Sequence, residues 1–235
     1  MFALPDVSVA AINLLSGGLM DPFRACLALG PLGVYLLAIG LVNLARRPWL
    51  TTGFRDHLAL GLGLSGLMVV GPLELLMPDR LIIQGWPAWL IWTGLYGLVL
   101  LLILAVQPPR LVIYNISAAE LQPVLAELIE ESDPDAHWIG NVLHMPRLGV
   151  QLQIDCQPFM RNAVVAAVGS RQSLRGWREL ESRLSAALSR VEVAFHAGGL
   201  ALSLLGAAVL LVISIQWFRD PQAVARGFWE MLRLR

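Results

Sequence analysis

The sharpest chemical possibility in this chain lies in two histidines. His137 and His144 bracket Trp-Ile-Gly-Asn-Val-Leu, and Gly140-Asn141 is a two-residue hairpin signal. About that turn, residues 139 and 142, 138 and 143, and 137 and 144 pair directly. The two imidazoles then face each other with Cβ atoms about 4.5–5.5 Å apart. Such a pair suits two ligands of a zinc-like ion, or a contact that repels when both rings are protonated. Asp133, Asp135 or Asp155 could add oxygen. Two nitrogens alone do not complete a zinc site. Two solvated rings on an outward face, with Trp138 and Leu143 inward, are the simpler explanation.

Glu74 follows Gly71-Pro72 inside an apolar stretch. An acid within a span marks a functional position by default. Pro78 and Asp79 are close, however, so an interfacial carboxylate explains it as well. Gly61-Leu-Gly63-Leu-Ser-Gly66 spells a dinucleotide fingerprint. No strand precedes it, and it sits in an apolar run, so that chemistry fails on context. Gly61 and Ser65, like Gly199 and Ser203, give small-xxx-small spacing instead, which lets helices approach closely. Asn115-Ile-Ser117 fits a glycosylation pattern but falls at a strand–helix junction. Arg171, Arg175, Arg178 and Arg183 form either a basic face toward anionic lipid or a plain solvated helix face. No nucleotide-binding lysine loop, hydrolase elbow, zinc-protease helix or paired-cysteine motif occurs. Nothing supplies a nucleophile with a recognisable base, so the sequence leans away from an enzyme and implies no cofactor.

The elements that must position these residues follow from composition. Of 235 residues, 57% are hydrophobic and 14% are charged. Mean hydropathy is +0.66. Soluble domains run at about 45–50% apolar and about 25% charged. A bilayer protein with one modest aqueous lobe fits better. All 17 basic side chains are arginine, balanced by 17 acids, so no basic excess points to nucleic acid. Cys26 and Cys156 fall in different kinds of sequence and imply no disulfide.

Spanning a bilayer takes about 20 apolar residues as helix. Four stretches qualify: Ala25–Leu44, Leu58–Met77, Pro87–Val106 and Val193–Phe218. Residues 1–24 read as an interfacial segment, because Val7–Met20 is short for a span. Residues 25–108 hold the first three spans, and residues 193–218 the fourth. Residues 219–235 read as an amphipathic tail helix in the headgroup plane, with Asp220 as cap and Pro221 at its first position. Trp86, Trp89 and Trp92 suit an interfacial belt.

Residues 109–192 hold 10 of the 17 acids and 8 of the 17 arginines. That density belongs in water. Leu111–Ile116 reads as a buried strand. Ser117-Ala-Ala-Glu120 is a capping box ahead of a helix carrying Leu121, Val124, Leu125, Leu128 and Ile129. The histidine hairpin follows. Gly149–Asp155 alternates as a half-exposed strand, and Ala163–Val168 reads as a central one. Trp177, Leu180, Leu184, Leu188 and Val191 stripe a last helix, expected to run unbroken into the fourth span. The expectation is therefore a four-span α-helical membrane protein with a small two-layer α+β sandwich inserted between spans three and four.

Arginines near span ends nearly balance across the membrane. The first loop, with Arg46, Arg47 and Arg55, tips the lobe toward the cytoplasm of a bacterial inner membrane. Expected partners are the bilayer, and a protein partner or a second copy joined through the spans. The expected function is an interaction, regulatory or assembly subunit. The alternative is a small oligomeric transporter or channel subunit using Glu74 and the glycine-rich second span. An enzyme with metal on the histidine pair is a third reading.

Overall fold

The computed structural model describes residues 22–73, 86–157, 161–170, 172–194 and 197–233. The interfacial segment Val7–Met20, Glu74 and Arg171 lie outside these residues.

The chain is mostly helical, with one small antiparallel sheet. Helix α1 (Pro22–Leu44) leads to strand β1 (Trp49–Thr52). Helix α2 (Gly53–Met68) continues through a π-helical turn, Val69–Leu73. Then come α3 (Trp86–Val106), β2 (Arg110–Tyr114), α4 (Ala118–Ser132), β3 (His137–Ile139) and β4 (Val142–Met145). Strands β5 (Val150–Gln157) and β6 (Asn162–Ala167) precede α5 (Leu174–Leu188), α6 (Ala197–Arg219) and α7 (Pro221–Arg233).

Among the described residues, three helices are long and apolar enough to cross a bilayer: α1, α3 and α6. Their apolar surfaces suit contact with lipid. The second expected span coincides with α2 and its π turn as far as Leu73, and its remainder lies outside the described residues. The π turn contains Gly71-Pro72. Proline lacks an N–H and crowds the preceding turn, so the backbone ladder shifts register there.

Close approach holds the bundle together. A Cβ built on Gly40 of α1 would lie 2.4 Å from the Ser203 nitrogen of α6. Gly206 likewise meets Leu37 nitrogen, and Gly199 meets the backbone of Asn43. As positions rise along α6, partners fall along α1, so the two helices run antiparallel. Gly63 rests on the Tyr35 ring, and Gly66 on the Leu27 carbonyl. Tyr96 of α3 donates to the Gly61 carbonyl at 2.7 Å. Glycine lets these backbones meet where any side chain would hold them apart.

Helix α7 folds back on the far end of the bundle. Asp220 caps it through the Ala223 N–H at 2.8 Å. Phe228 packs edge-on against Phe23 of α1, and the Trp89 indole donates to the Met231 carbonyl at 3.0 Å. The tail is therefore docked onto the starts of α1 and α3, with Val224 buried beneath it. Of the expected tryptophan belt, Trp86 is exposed while Trp89 is buried.

The sheet has six strands in the order β1-β2-β6-β5-β4-β3, each pair antiparallel. Alternation sorts its two faces. Leu111, Ile113, Leu143, Met145, Val150, Leu152, Ala163 and Val165 share one core with Leu121 and Leu128 of α4. Trp177, Leu180, Leu184 and Leu188 of α5 complete it. The opposite face presents Arg110, Val112 and Tyr114 near α2, then polar Gln151, Gln153 and Asp155 farther out.

Two features depart from the sequence reading. The first connection contributes a strand: Leu50 opposes Ile113 and Thr52 opposes Leu111. The last lobe helix also stops at Leu188 instead of running into α6. Residues 191–194 are non-helical, and the Val193 N–H bonds the Arg46 carbonyl at 3.0 Å. Val193 is buried there. That tertiary contact outweighs local helix propensity.

Candidate functional site: the seam, the histidine hairpin and an apolar cleft

The seam between sheet and bundle gathers a polar cluster. Thr52 caps α2 by accepting from the Arg55 N–H. This cap sets the first turn of α2 beside β2 and brings Asp56 and His57 to the strand. The Tyr114 hydroxyl donates to one Asp56 oxygen. The Arg110 guanidinium reaches the other at 3.3 Å. His57 lies between the Gly53 carbonyl, 2.9 Å from Nδ1, and the Arg110 guanidinium, whose Nη2 is 2.5 Å from Nδ1 and 3.0 Å from Nε2.

Burial pushes the Tyr114 hydroxyl above its ordinary range, and its hydrogen bond to the Asp56 carboxylate adds to this. Tyr114 thus remains a donor. Asp56, His57, Arg110 and Tyr114 hold one another across the seam, so the cluster's chemistry is that of a clasp. Asn115 extends the clasp. It is buried with φ 59°, a left-handed backbone that asparagine tolerates better than most residues. Its amide donates to the Ala45 carbonyl at 2.6 Å, just beyond the end of α1. A buried, bonded asparagine offers nothing to a glycosylating enzyme.

Of the sequence-predicted residues, His137 and His144 face each other in register. Their rings stack with centroids 5.6 Å apart and planes 13° apart. The Asp135 carbonyl accepts from His137 Nδ1 at 3.0 Å, which leaves Nε2 with its lone pair. The neighbouring acids are engaged elsewhere. Asp133 is buried and accepts from the Asp135 and Arg147 N–H groups. Asp135 pairs with Arg147 at 2.9 Å. Asp155 opposes Val164, whereas His144 opposes Gln151, so about 13 Å of strand separates Asp155 from the pair. Among the described residues no cluster of three metal-type ligands occurs. The pair lines an open cleft of about 510 Å³ with Met145, Gln151, Gln172 and Ser173.

The small residues of the spans are distributed as follows. Gly61 packs on Leu100, while Ser65 turns back to the Leu62 carbonyl at 2.7 Å. Gly199 and Ser203 both lie in the α1–α6 contact. Ser203 is buried there, and its hydroxyl has no hydrogen-bond partner.

A second cleft, of about 440 Å³, opens between α4 and the outer strands. Leu121, Leu125, Ile129, Ile154 and Cys156 line it, and Trp138 stands at its rim. Trp138 is 53% exposed and the adjacent Ile139 57%. Burial, then the Asp155 charge, pushes the Cys156 thiol up, so the sulfur contributes an apolar wall.

The capping box forms as expected, and Glu120 also holds Arg161 at 2.6 Å. Burial works against its charge. The Ser117 N–H and hydroxyl and the Arg161 guanidinium nevertheless hold Glu120 below its ordinary value of 4.5. A depressed carboxylate stabilises the fold above the unfolded value, and this is lost as pH falls through the folded one. Glu120→Gln should therefore destabilise the fold at pH 7, by less than about 1 kcal/mol given its exposure, and lower the melting temperature accordingly. The gap between variant and wild type should close as melts are repeated down toward pH 3.

Sequence reasoning missed the seam. No motif in the sequence marks Asp56, His57, Arg110 and Tyr114 as one cluster, or Trp49–Thr52 as a strand. The available signals were the β-branched Thr51-Thr52 and a threonine three residues before Arg55.

The chain matches no protein-family model, no curated protein and no solved structure.

Proposed function

We propose that this chain is a membrane-anchored interaction, regulatory or assembly subunit whose sheet-and-helix lobe binds a partner protein or ligand. In this reading α2 crosses the bilayer beside α1, α3 and α6 as a fourth span. The lobe of residues 109–192, joined by β1, stands on the cytoplasmic side of a bacterial inner membrane. Arg46, Arg47, Arg55, Arg110 and Arg190 near the sheet-side ends of the helices support that orientation.

The observation that carries the proposal is the apolar cleft beside exposed Trp138 and Ile139. It lies at the outer edge of the sheet, away from the seam that holds the other edge to the helices. An edge strand free of arginine and acidic side chains, with a protruding tryptophan, is what soluble surfaces avoid and binding surfaces use. The seam would transmit a load on the lobe to the helices. A transport role through α2 gains no such support. Gly61, Gly63 and Gly66 are filled by Leu100, Tyr35 and the Leu27 carbonyl rather than facing a pore.

A photoreactive phenylalanine analogue at Trp138, in cells expressing the full chain, tests the reading. The expected result is one discrete protein or small-molecule adduct, absent when the same group replaces Gln153 on the opposite face. No adduct from either position, or identical adduct patterns from both, would count against it.

A further inference from the structure

A third cleft, of about 220 Å³, lies where α2, α3 and α5 converge on the sheet. Its lining includes Phe54 at the start of α2, Leu104 and Gln107 at the end of α3, and Leu174, Arg178 and Glu181 of α5. Apolar side chains around it stand open. Leu174 is 68% exposed and Phe54 50%. Both sit at the level where the apolar helices end and the polar sheet begins. Water is a poor solvent for those side chains, and the acyl–headgroup boundary is a good one.

The charge in the cleft is mixed. Arg178 and Glu181 are three residues apart, on one face of α5. Neither makes an ion pair among the described residues. The remaining cation, Arg110, is already matched by Asp56. The cleft therefore offers one positive and one negative group with no net charge. Behind them, the Gln107 side-chain oxygen and Arg110 Nε are shut away without hydrogen-bond partners. Both would gain from a polar group reaching them.

We propose that this cleft is a site for a zwitterionic, amine-bearing phospholipid headgroup of the phosphoethanolamine type. Arg178 takes the phosphate and Glu181 the ammonium. Phe54 and Leu174 hold the first methylenes of the acyl chains. A choline headgroup presents no N–H to Glu181, and a glycerol headgroup leaves that carboxylate facing a net anion. The cleft is separate from the one at Trp138, so this inference stands apart from the partner proposal.

The test uses the full chain in mild detergent, with native mass spectrometry after adding phosphatidylethanolamine, phosphatidylcholine and phosphatidylglycerol of identical chains in equal amounts. The wild type should retain the ethanolamine lipid about three- to fivefold over each of the others, the ratio an interfacial ion pair supports. Glu181→Gln should bring that ratio to about one. Arg178→Gln should reduce binding of all three lipids. Both side chains are surface residues, and circular dichroism would confirm an unchanged fold. Equal retention of the three lipids by wild type would overturn the assignment. So would preference for the glycerol lipid, or unchanged ratios in both variants.

Discussion

Asp56→Ala should loosen the sheet from the helices. The carboxylate accepts the Tyr114 hydroxyl and pairs with Arg110, and its side chain is 18% exposed. Its removal leaves the Tyr114 hydroxyl without its acceptor and the Arg110 guanidinium with only the His57 ring beside it. Breaking such a partly buried pair costs about 2–3 kcal/mol, below the fully buried case because some water reaches it. Asp56→Asn, which keeps an acceptor for Tyr114, should lose about half of that. The loss should be local in character. Unfolding of the full chain in detergent would show a lower midpoint, with the amides of β1 and β2 becoming exchangeable before those of β5 and β6. A uniform loss of protection across all six strands would mean that Asp56 supports the sheet generally and not the seam.

The second large effect concerns the bundle. A Cβ at Gly66 would lie 1.9 Å from the Leu27 carbonyl oxygen and 2.9 Å from that of Ala28. These are backbone atoms of α1, so no side chain can swing aside. Gly66→Leu should force α1 and α2 apart, at or above the upper end of the usual overpacking cost of about 1–3 kcal/mol. Gly94→Leu and Gly97→Leu in α3 are the controls. Nothing lies within 4 Å of a Cβ at either position. They should be neutral, as a leucine facing lipid is. Gly61→Ala should fall between, because the Leu100 side chain it meets can move. Thermal stability of the purified variants in one detergent would rank them. Destabilisation by the α3 changes equal to that of Gly66→Leu would contradict the packing described.

The parts of this architecture legible in sequence are those set by neighbours in the chain. Gly140-Asn141 dictates a two-residue turn, and the turn dictates that His137 opposes His144. Ser117 and Glu120 close their capping box from three residues apart. The apolar helices announce themselves by length. The seam was illegible because its members come from distant segments. Arg110 and Asp56 are 54 residues apart, and Asn115 and Ala45 are 70. Strand β1 is four residues long and has no buried side chain of its own. No periodicity can develop in so short a run, and only pairing with β2 makes it a strand. The end of α5 was hidden for a related reason. No breaker follows Leu188; the chain leaves the helix because Val193 binds the Arg46 carbonyl. The tail helix was legible as amphipathic, but its docking onto Phe23 and Trp89 was not.

The same division applies to the candidate sites. The histidine pair could be read because it is local, and the apolar cleft could not, because α4 and β5 bring its walls together. Asp133 and Asp135 looked available as oxygen ligands in one dimension. In three dimensions the β4–β5 turn has already engaged them.

The pairing of the first inter-helix connection with the sheet can be measured directly by hydrogen exchange on the full chain in lipid nanodiscs, followed at the backbone amides of residues 49–52. If that connection is a strand hydrogen-bonded to β2, the amides facing β2 will exchange slowly, on the timescale of β6 in the middle of the sheet. If they exchange as fast as an exposed loop while β2 and β6 stay protected, the sheet is not stitched to the helices and the clasp described here does not exist.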